Sequence, residues 1–133
     1  MPDRPFFDTN VLVYSVSAGD ARRETALHLL SAGGAIGVQT LNEFANVAAR
    51  RMKTPWREAV IWLEIIQRLC EPAVPVTLAV HQSALKIART YRYDFYDALM
   101  LAAAIEASCT VFYSEDMRDG HVIDGLIIRN PFA

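Results

Sequence analysis

The sequence is short of cysteine, of net charge and of long apolar runs, and each shortage closes off a class of protein. Two cysteines, Cys70 and Cys109, occur in 133 residues. They are too distant for a CxxC unit and lie in apolar surroundings, so they read as reduced core residues of a cytosolic protein. Thirteen basic residues against fifteen acidic ones give a formal charge of -2. That balance argues against a broad cationic surface for nucleic acid and leaves room for a small local site. The apolar run Ala98 to Ile105 falls short of the about 18 residues that span a bilayer. The opening MPDRPFFD places acid and proline where a secretory leader needs an apolar stretch, so the expectation is a soluble, cytoplasmic chain with no membrane segment. Low-complexity segments, internal repeats and Pro/Gly/Ser-rich linkers are also missing, which predicts a single domain over residues 1–133. With 53% hydrophobic side chains, a domain of this size builds its own core without disulfide or metal staples.

What is present is an alternation of short apolar strands and helices. Pro5 to Asp8 predicts a strand, with a brief helical turn over Asn10 to Ser15. Asp20 suits the cap of a helix carrying Ala26, Leu27, Leu29 and Leu30 that Gly33-Gly34 stops. Ala35 to Val38 predicts a second strand. From Thr40, the positions Leu41, Phe44, Ala45, Ala48 and Met52 keep a helical stripe. Thr54-Pro55 opens another helix, running to about Cys70. Pro72 and Pro75 bracket a strand over Ala73 to Val76. Helices follow over Leu78 to Arg92 and Phe95 to Ser108, then strands over Thr110 to Ser114 and Leu126 to Arg129. This order implies βαβ units and a three-layer α/β/α sandwich around a mainly parallel sheet. Ligands gather beyond the carboxyl ends of the strands in such sheets.

Acids stand at that edge. Asp8 ends the first strand and Asp116 follows the fourth. Glu43 lies in the first turn of the helix entered through Thr40. Asp97 lies in the first turn of the helix entered through Asp94, and because a helix precedes it, its position depends on the tertiary fold. Each has an ordinary explanation: Thr40-x-x-Glu43 fits a capping box, Asp94 and Asp97 suit a helix N-terminus, Asp8 can cap the turn after it, and Asp116 fits an exposed loop. Together, however, carboxylates crowded at one rim repel one another and must take up protons or a cation. Oxygen-only ligands favour Mg²⁺ or Mn²⁺ over zinc. Such ions polarise phosphoryl oxygens and lower the pKa of water, which points to phosphodiester hydrolysis. The motifs GxxxxGK[ST], GxSxG and HExxH are absent.

Phe7-Asp8-Thr9-Asn10-Val11-Leu12, Thr40-Leu41-Asn42-Glu43, Tyr96-Asp97-Ala98-Leu99-Met100 and Ser114-Glu115-Asp116 stand in an order and spacing that resemble the PIN-domain ribonucleases, in particular the VapC-type toxins of bacterial toxin–antitoxin pairs. The likeness runs from about Phe6 to Asn130. It implies a metal-dependent endoribonuclease in which Asp8 and Asp97 are the principal metal ligands and Glu43 and Asp116 complete the acidic cluster. Thr9, Asn10 and Ser114 would be supporting polar groups, and Glu115 and Asp119 are near enough to share the role of Asp116. It also implies in-line hydrolysis of RNA leaving a 5′-phosphate and a 3′-hydroxyl, a separately encoded antitoxin partner and a homodimer.

Two rival readings remain. A phosphoryl-transfer enzyme with Asp8 as nucleophile usually wants an acid two residues on, where this chain has Asn10. A PIN-like module that binds RNA or protein without cleavage is the other, and the presence of all four acids speaks against such decay. Arg50, Arg51, Lys53 and Arg57 suit the carboxyl end of a helix dipole better than an RNA path. His28, His81 and His121 are scattered and take no catalytic role. Trp56 and Trp62 suit either a partner face or the core.

Overall fold

The computed structural model describes residues 3–133; Met1 and Pro2, which open the stretch weighed above as a leader, lie outside them. Strand β1 spans Pro5–Phe7, β2 Val111–Tyr113, β3 Val122–Ile123 and β4 Leu126–Arg129, and they lie in the order β1-β2-β4-β3. β1 pairs parallel with β2, and β2 parallel with β4; only the β3–β4 pair is antiparallel. Six helices complete the chain: α1 Thr9–Ser15, α2 Arg23–Ser31, α3 Val38–Arg50, α4 Trp56–Leu69, α5 Leu78–Tyr91 and α6 Phe95–Glu106.

The period-2 alternation of side chains along a strand divides the core into two layers. Phe6 and Phe112, stacked at 5.4 Å, join α5 and α6 in one buried cluster. Phe7 and Tyr113, stacked at 6.3 Å, face the other way into a cluster with α1, α2, α3 and α4. This is the expected three-layer arrangement. Both cysteines are free and buried. Among the described residues, no helix is long and apolar enough to cross a membrane.

Several boundaries differ from the sequence-based expectation. The segments 35–38 and 73–76 form no full strands. They contribute single parallel bridges, Phe6 with Ala35 and Gly37 with Val74, because α3 begins at Val38 and leaves only three extended residues before it. Thr40 is therefore not the cap of α3. Gly37 occupies that place, and the Thr40 hydroxyl, one turn in, accepts from the Gly37 N–H at 3.1 Å. The Thr40–Glu43 capping box does not form, and Glu43 falls in the second turn. Asp20 does not cap α2, which is preceded by Arg22; its carboxylate instead grips Arg22, accepting from Nε at 3.0 Å and Nη2 at 2.9 Å. Pro55, not Thr54, stands at the cap of α4. The β3–β4 hairpin is an addition: Asp124 and Gly125 have φ of 48° and 82°, the left-handed pair a tight two-residue hairpin requires.

Gly34 marks a close approach between layers. A Cβ built there lies 2.6 Å from the buried Phe7 ring and 3.0 Å from the Pro5 carbonyl oxygen. Gly34→Ala must displace a core ring or the edge of β1. We expect a loss of about 1–3 kcal/mol, read as a lower urea midpoint with an unchanged m-value; a midpoint equal to wild type would contradict this packing.

Candidate active site at the carboxyl edge

Parallel pairing delivers Asp8 and Ser114 side by side. The Asp8 N–H donates to the Tyr113 carbonyl at 3.0 Å, extending the ladder by one rung, so the residues that follow β1 and β2 emerge together. Asp8 is 6% exposed and Ser114 fully buried. One Asp8 oxygen accepts from the Thr9 N–H at 2.7 Å and the other from the Ser114 hydroxyl at 2.7 Å. The first bond makes Asp8 the N-cap of α1, the ordinary role expected of it.

The other acids come from three directions. On α3, the Glu43 carboxylate accepts from Thr9 Oγ1 at 3.5 Å and from Gln39 Nε2 at 3.1 Å. Asp94 caps α6 by accepting from the Tyr96 N–H at 3.0 Å, which puts Asp97 in the first turn. α6 starts at the carboxyl edge by necessity. It leads through a short turn into β2, which, being parallel to β1, must begin at the amino edge. Asp116 is held by a hydrogen bond from the Asn10 amide. Glu43 and Asp97 then face each other across a cleft of about 440 Å³, lined also by Gln39, Asn42, Asn46, Asp94 and Tyr96.

Burial, and after it neighbouring charge, disfavours ionisation of two of these acids. Burial raises Asp8 to about 7; the Ser114 and Thr9 hydrogen bonds oppose the rise, while the Asp97 and Glu43 charges add to it. Asp97 is raised to about 6, first by burial and then by Asp94, Glu43 and Asp116. The ion pairs among the described residues are Arg4–Glu71, Arg22–Asp20 and Arg22–Glu115. Asp8, Glu43, Asp97 and Asp116 thus have no basic partner there. Nor do any three acids, histidines or cysteines among the described residues converge tightly enough to cage an ion unaided.

Glu115 and Asp119 do not join the cluster. Glu115 Oε1 accepts from the Tyr14 hydroxyl at 2.6 Å and from Arg22 Nη1 at 2.8 Å, with the guanidinium lying over the Tyr14 ring. Asp119 accepts from the Asn130 N–H. The Tyr14–Arg22–Glu115 clamp escaped the sequence reading, and nothing in the spacing of these residues announces it. His121 Nδ1 is hydrogen-bonded to the Tyr93 hydroxyl and its ring stacks on that tyrosine, while His81 packs against Phe95. Arg50 and Arg51 close α3 at the end remote from Glu43. A second hollow, about 680 Å³, opens at the amino edge around Arg4, Gly34 and Glu71, where Arg4 and Glu71 are paired with each other.

A parallel α/β domain with four unneutralised carboxylates beyond its strand ends is the class these features define. The chain belongs to the PIN-domain family: the PIN domain model matches residues 6–121. None of the curated proteins matches it in sequence. Solved structures share the fold. VapC20 of Mycobacterium tuberculosis, a toxin that cleaves the sarcin–ricin loop, is 24% identical with a TM-score of 0.69, over 84% of this chain and 89% of that one. A toxin–antitoxin complex from Klebsiella pneumoniae is 20% identical with a TM-score of 0.69, over 96% and 98%. VapBC2 from Rickettsia felis, bound to a fragment of its promoter DNA, is 17% identical with a TM-score of 0.70, over 95% and 97%.

The raised Asp8 carboxyl carries a pH signature. Its ordinary value is 3.8 and its folded value about 7, so the folded state holds a proton that the unfolded chain releases. The associated stability is complete below pH ~4 and is lost as pH rises through ~7. In EDTA, Asp8→Asn should therefore gain on wild type by on the order of 3 kcal/mol between those limits. Chemical denaturation at pH 4, 5.5 and 7.5 measures the difference; a constant gap would show that Asp8 is ionised throughout.

Proposed function

We propose that this PIN domain is a metal-dependent endoribonuclease that hydrolyses RNA phosphodiester bonds as the toxin of a type II toxin–antitoxin pair. The observation that carries the proposal is the absence of any basic partner for the four rim carboxylates among the described residues. Burial and the neighbouring acids raise two of them, Asp8 and Asp97, well above the ordinary carboxylate range. Supporting it, one structural neighbour is a toxin that cleaves the sarcin–ricin loop and others are toxin–antitoxin complexes.

The donor set suits Mg²⁺ or Mn²⁺. All four side chains offer hard oxygens, and Mg²⁺ retains several waters and needs only one or two carboxylates directly, so a tight three-acid cage is not required. Asp8 and Asp97 would hold the ion, with Glu43 and Asp116 completing the cluster. What a divalent ion supplies when bound is neutralisation of charge on the phosphoryl oxygens and a lower pKa for water. The protein supplies position. The Thr9 N–H and the Ser114 hydroxyl fix both oxygens of Asp8, the Thr9 hydroxyl tethers Glu43, and Asn10 aims Asp116. Hydrogen bonds to the carboxylates from such neighbours orient the oxygens that would face an ion. The reading also calls for an antitoxin and a second copy of the chain as partners. On α4, Trp56 is 62% exposed beside exposed Val60, Ile61 and Ile65, an uncovered apolar row of the kind partners cover. Trp62, by contrast, packs edge-on against Phe44.

Incubating the protein with structured and single-stranded RNAs in Mg²⁺, Mn²⁺ or EDTA tests the reading. Cleavage should require metal and yield 5′-phosphate ends, and Asp8→Asn and Asp97→Asn should each lower it at least about 100-fold while leaving the fold intact. Added Mg²⁺ should raise the Tm of wild type, but not of Asp8→Asn, at pH 8. Chelator-resistant cleavage would overturn metal dependence, and binding without cleavage in every metal would favour the non-catalytic module.

A further inference from the structure

The cleft at the carboxyl edge contains groups that the acid cluster does not use. Tyr96, beside Asp97, is 56% exposed. Its ring is braced from behind: Phe95 meets it edge-on at 5.7 Å, and His81 meets Phe95 edge-on at 5.5 Å. Across the cleft, α3 presents Gln39, Asn42 and Asn46 at i, i+3 and i+7, one face of a helix. Gln39 is spent on Glu43. Asn42 and Asn46 are exposed, and their amides have no hydrogen-bond partner among the described residues.

The chemistry of this cleft excludes some occupants. Glu43, Asp94 and Asp97 line it, so away from a bound cation a phosphate would meet repulsion, whereas an uncharged, flat group would not. An exposed aromatic face sharing a cleft with free amide donors and acceptors matches a nucleobase, whose π-face stacks and whose edge pairs with amides. The base must be unpaired, since bases inside an A-form duplex are already stacked and their edges are hidden.

We propose that the cleft is a nucleobase subsite, in which an unpaired base next to the scissile phosphate stacks on Tyr96 with its edge toward Asn42 and Asn46. RNA as the ligand rests on the nuclease reading above. Tyr96 supplies affinity that is tolerant of base identity, and the α3 amides supply discrimination between bases.

The test is a single-stranded oligoribonucleotide carrying 2-aminopurine, whose fluorescence falls on stacking, titrated with protein in EDTA and again with Ca²⁺ in place of Mg²⁺. Wild type should quench it saturably. Tyr96→Ala should weaken binding roughly 10- to 100-fold and abolish the quench, and Tyr96→Phe should restore both. Because residue 96 is exposed, an unchanged Tm for Tyr96→Ala confirms that folding is not the cause. In Mg²⁺, the same variant should raise KM with little change in kcat, as expected for lost uniform binding. Quenching without cleavage in any metal would remove the nuclease reading and leave the subsite standing. Cleavage with wild-type KM and quench in Tyr96→Ala would do the reverse. An absence of quenching by wild type would overturn the subsite.

Discussion

The parallel pairing of β1 with β2 governs the rest of the molecule. Phe6 opposite Phe112 and Phe7 opposite Tyr113 set a register in which both strands run out at the same height. Asp8 and Ser114 therefore leave the sheet as neighbours, 106 positions apart in the chain. The same pairing forces the chain before β2 to descend from the carboxyl edge, and α6 is that descent. Its first turn carries Asp97 and its middle, Ala98 to Ala104, is buried throughout. One stretch of backbone thus serves as a core column at its centre and as part of the site at its tip.

The site works against the stability of the fold that makes it. Asp8 is desolvated beside other acids, and its two good hydrogen bonds offset only part of that cost. A chain selected for stability alone would place an amide or a basic partner there. What the arrangement provides is an acidic rim without basic partners, with Thr9 and Ser114 both holding Asp8 and Asn10 holding Asp116.

The sequence made the α/β alternation, the amphipathic helices and all four acids legible, because these rest on periodicity and on residues in order along the chain. Boundaries that depend on tertiary geometry were less legible. Val38 looks like strand by β-branching but is the first residue of α3, since the sheet needs only one bridge from Gly37 before the chain turns. The β3–β4 hairpin carries a local signal in Asp124-Gly125, set between the apolar pairs Val122-Ile123 and Leu126-Ile127. The position of Asp97 followed from topology: a helix joined by a short turn to a parallel strand must begin at the strand's carboxyl edge. Glu115 was different. Whether it or Asp116 faces the cluster depends on Arg22 and Tyr14, and no spacing rule links residues 14, 22 and 115.

Arg22 and Tyr14 seize Glu115, and the next residue is thereby handed to Asn10. The loop after Ser114 behaves like a two-toothed key: one tooth is locked in the wall and the other is presented to the opening. Inserting a single residue between Ser114 and Glu115 would shift the teeth by one place without removing an acid, so the length of this loop matters as much as its composition.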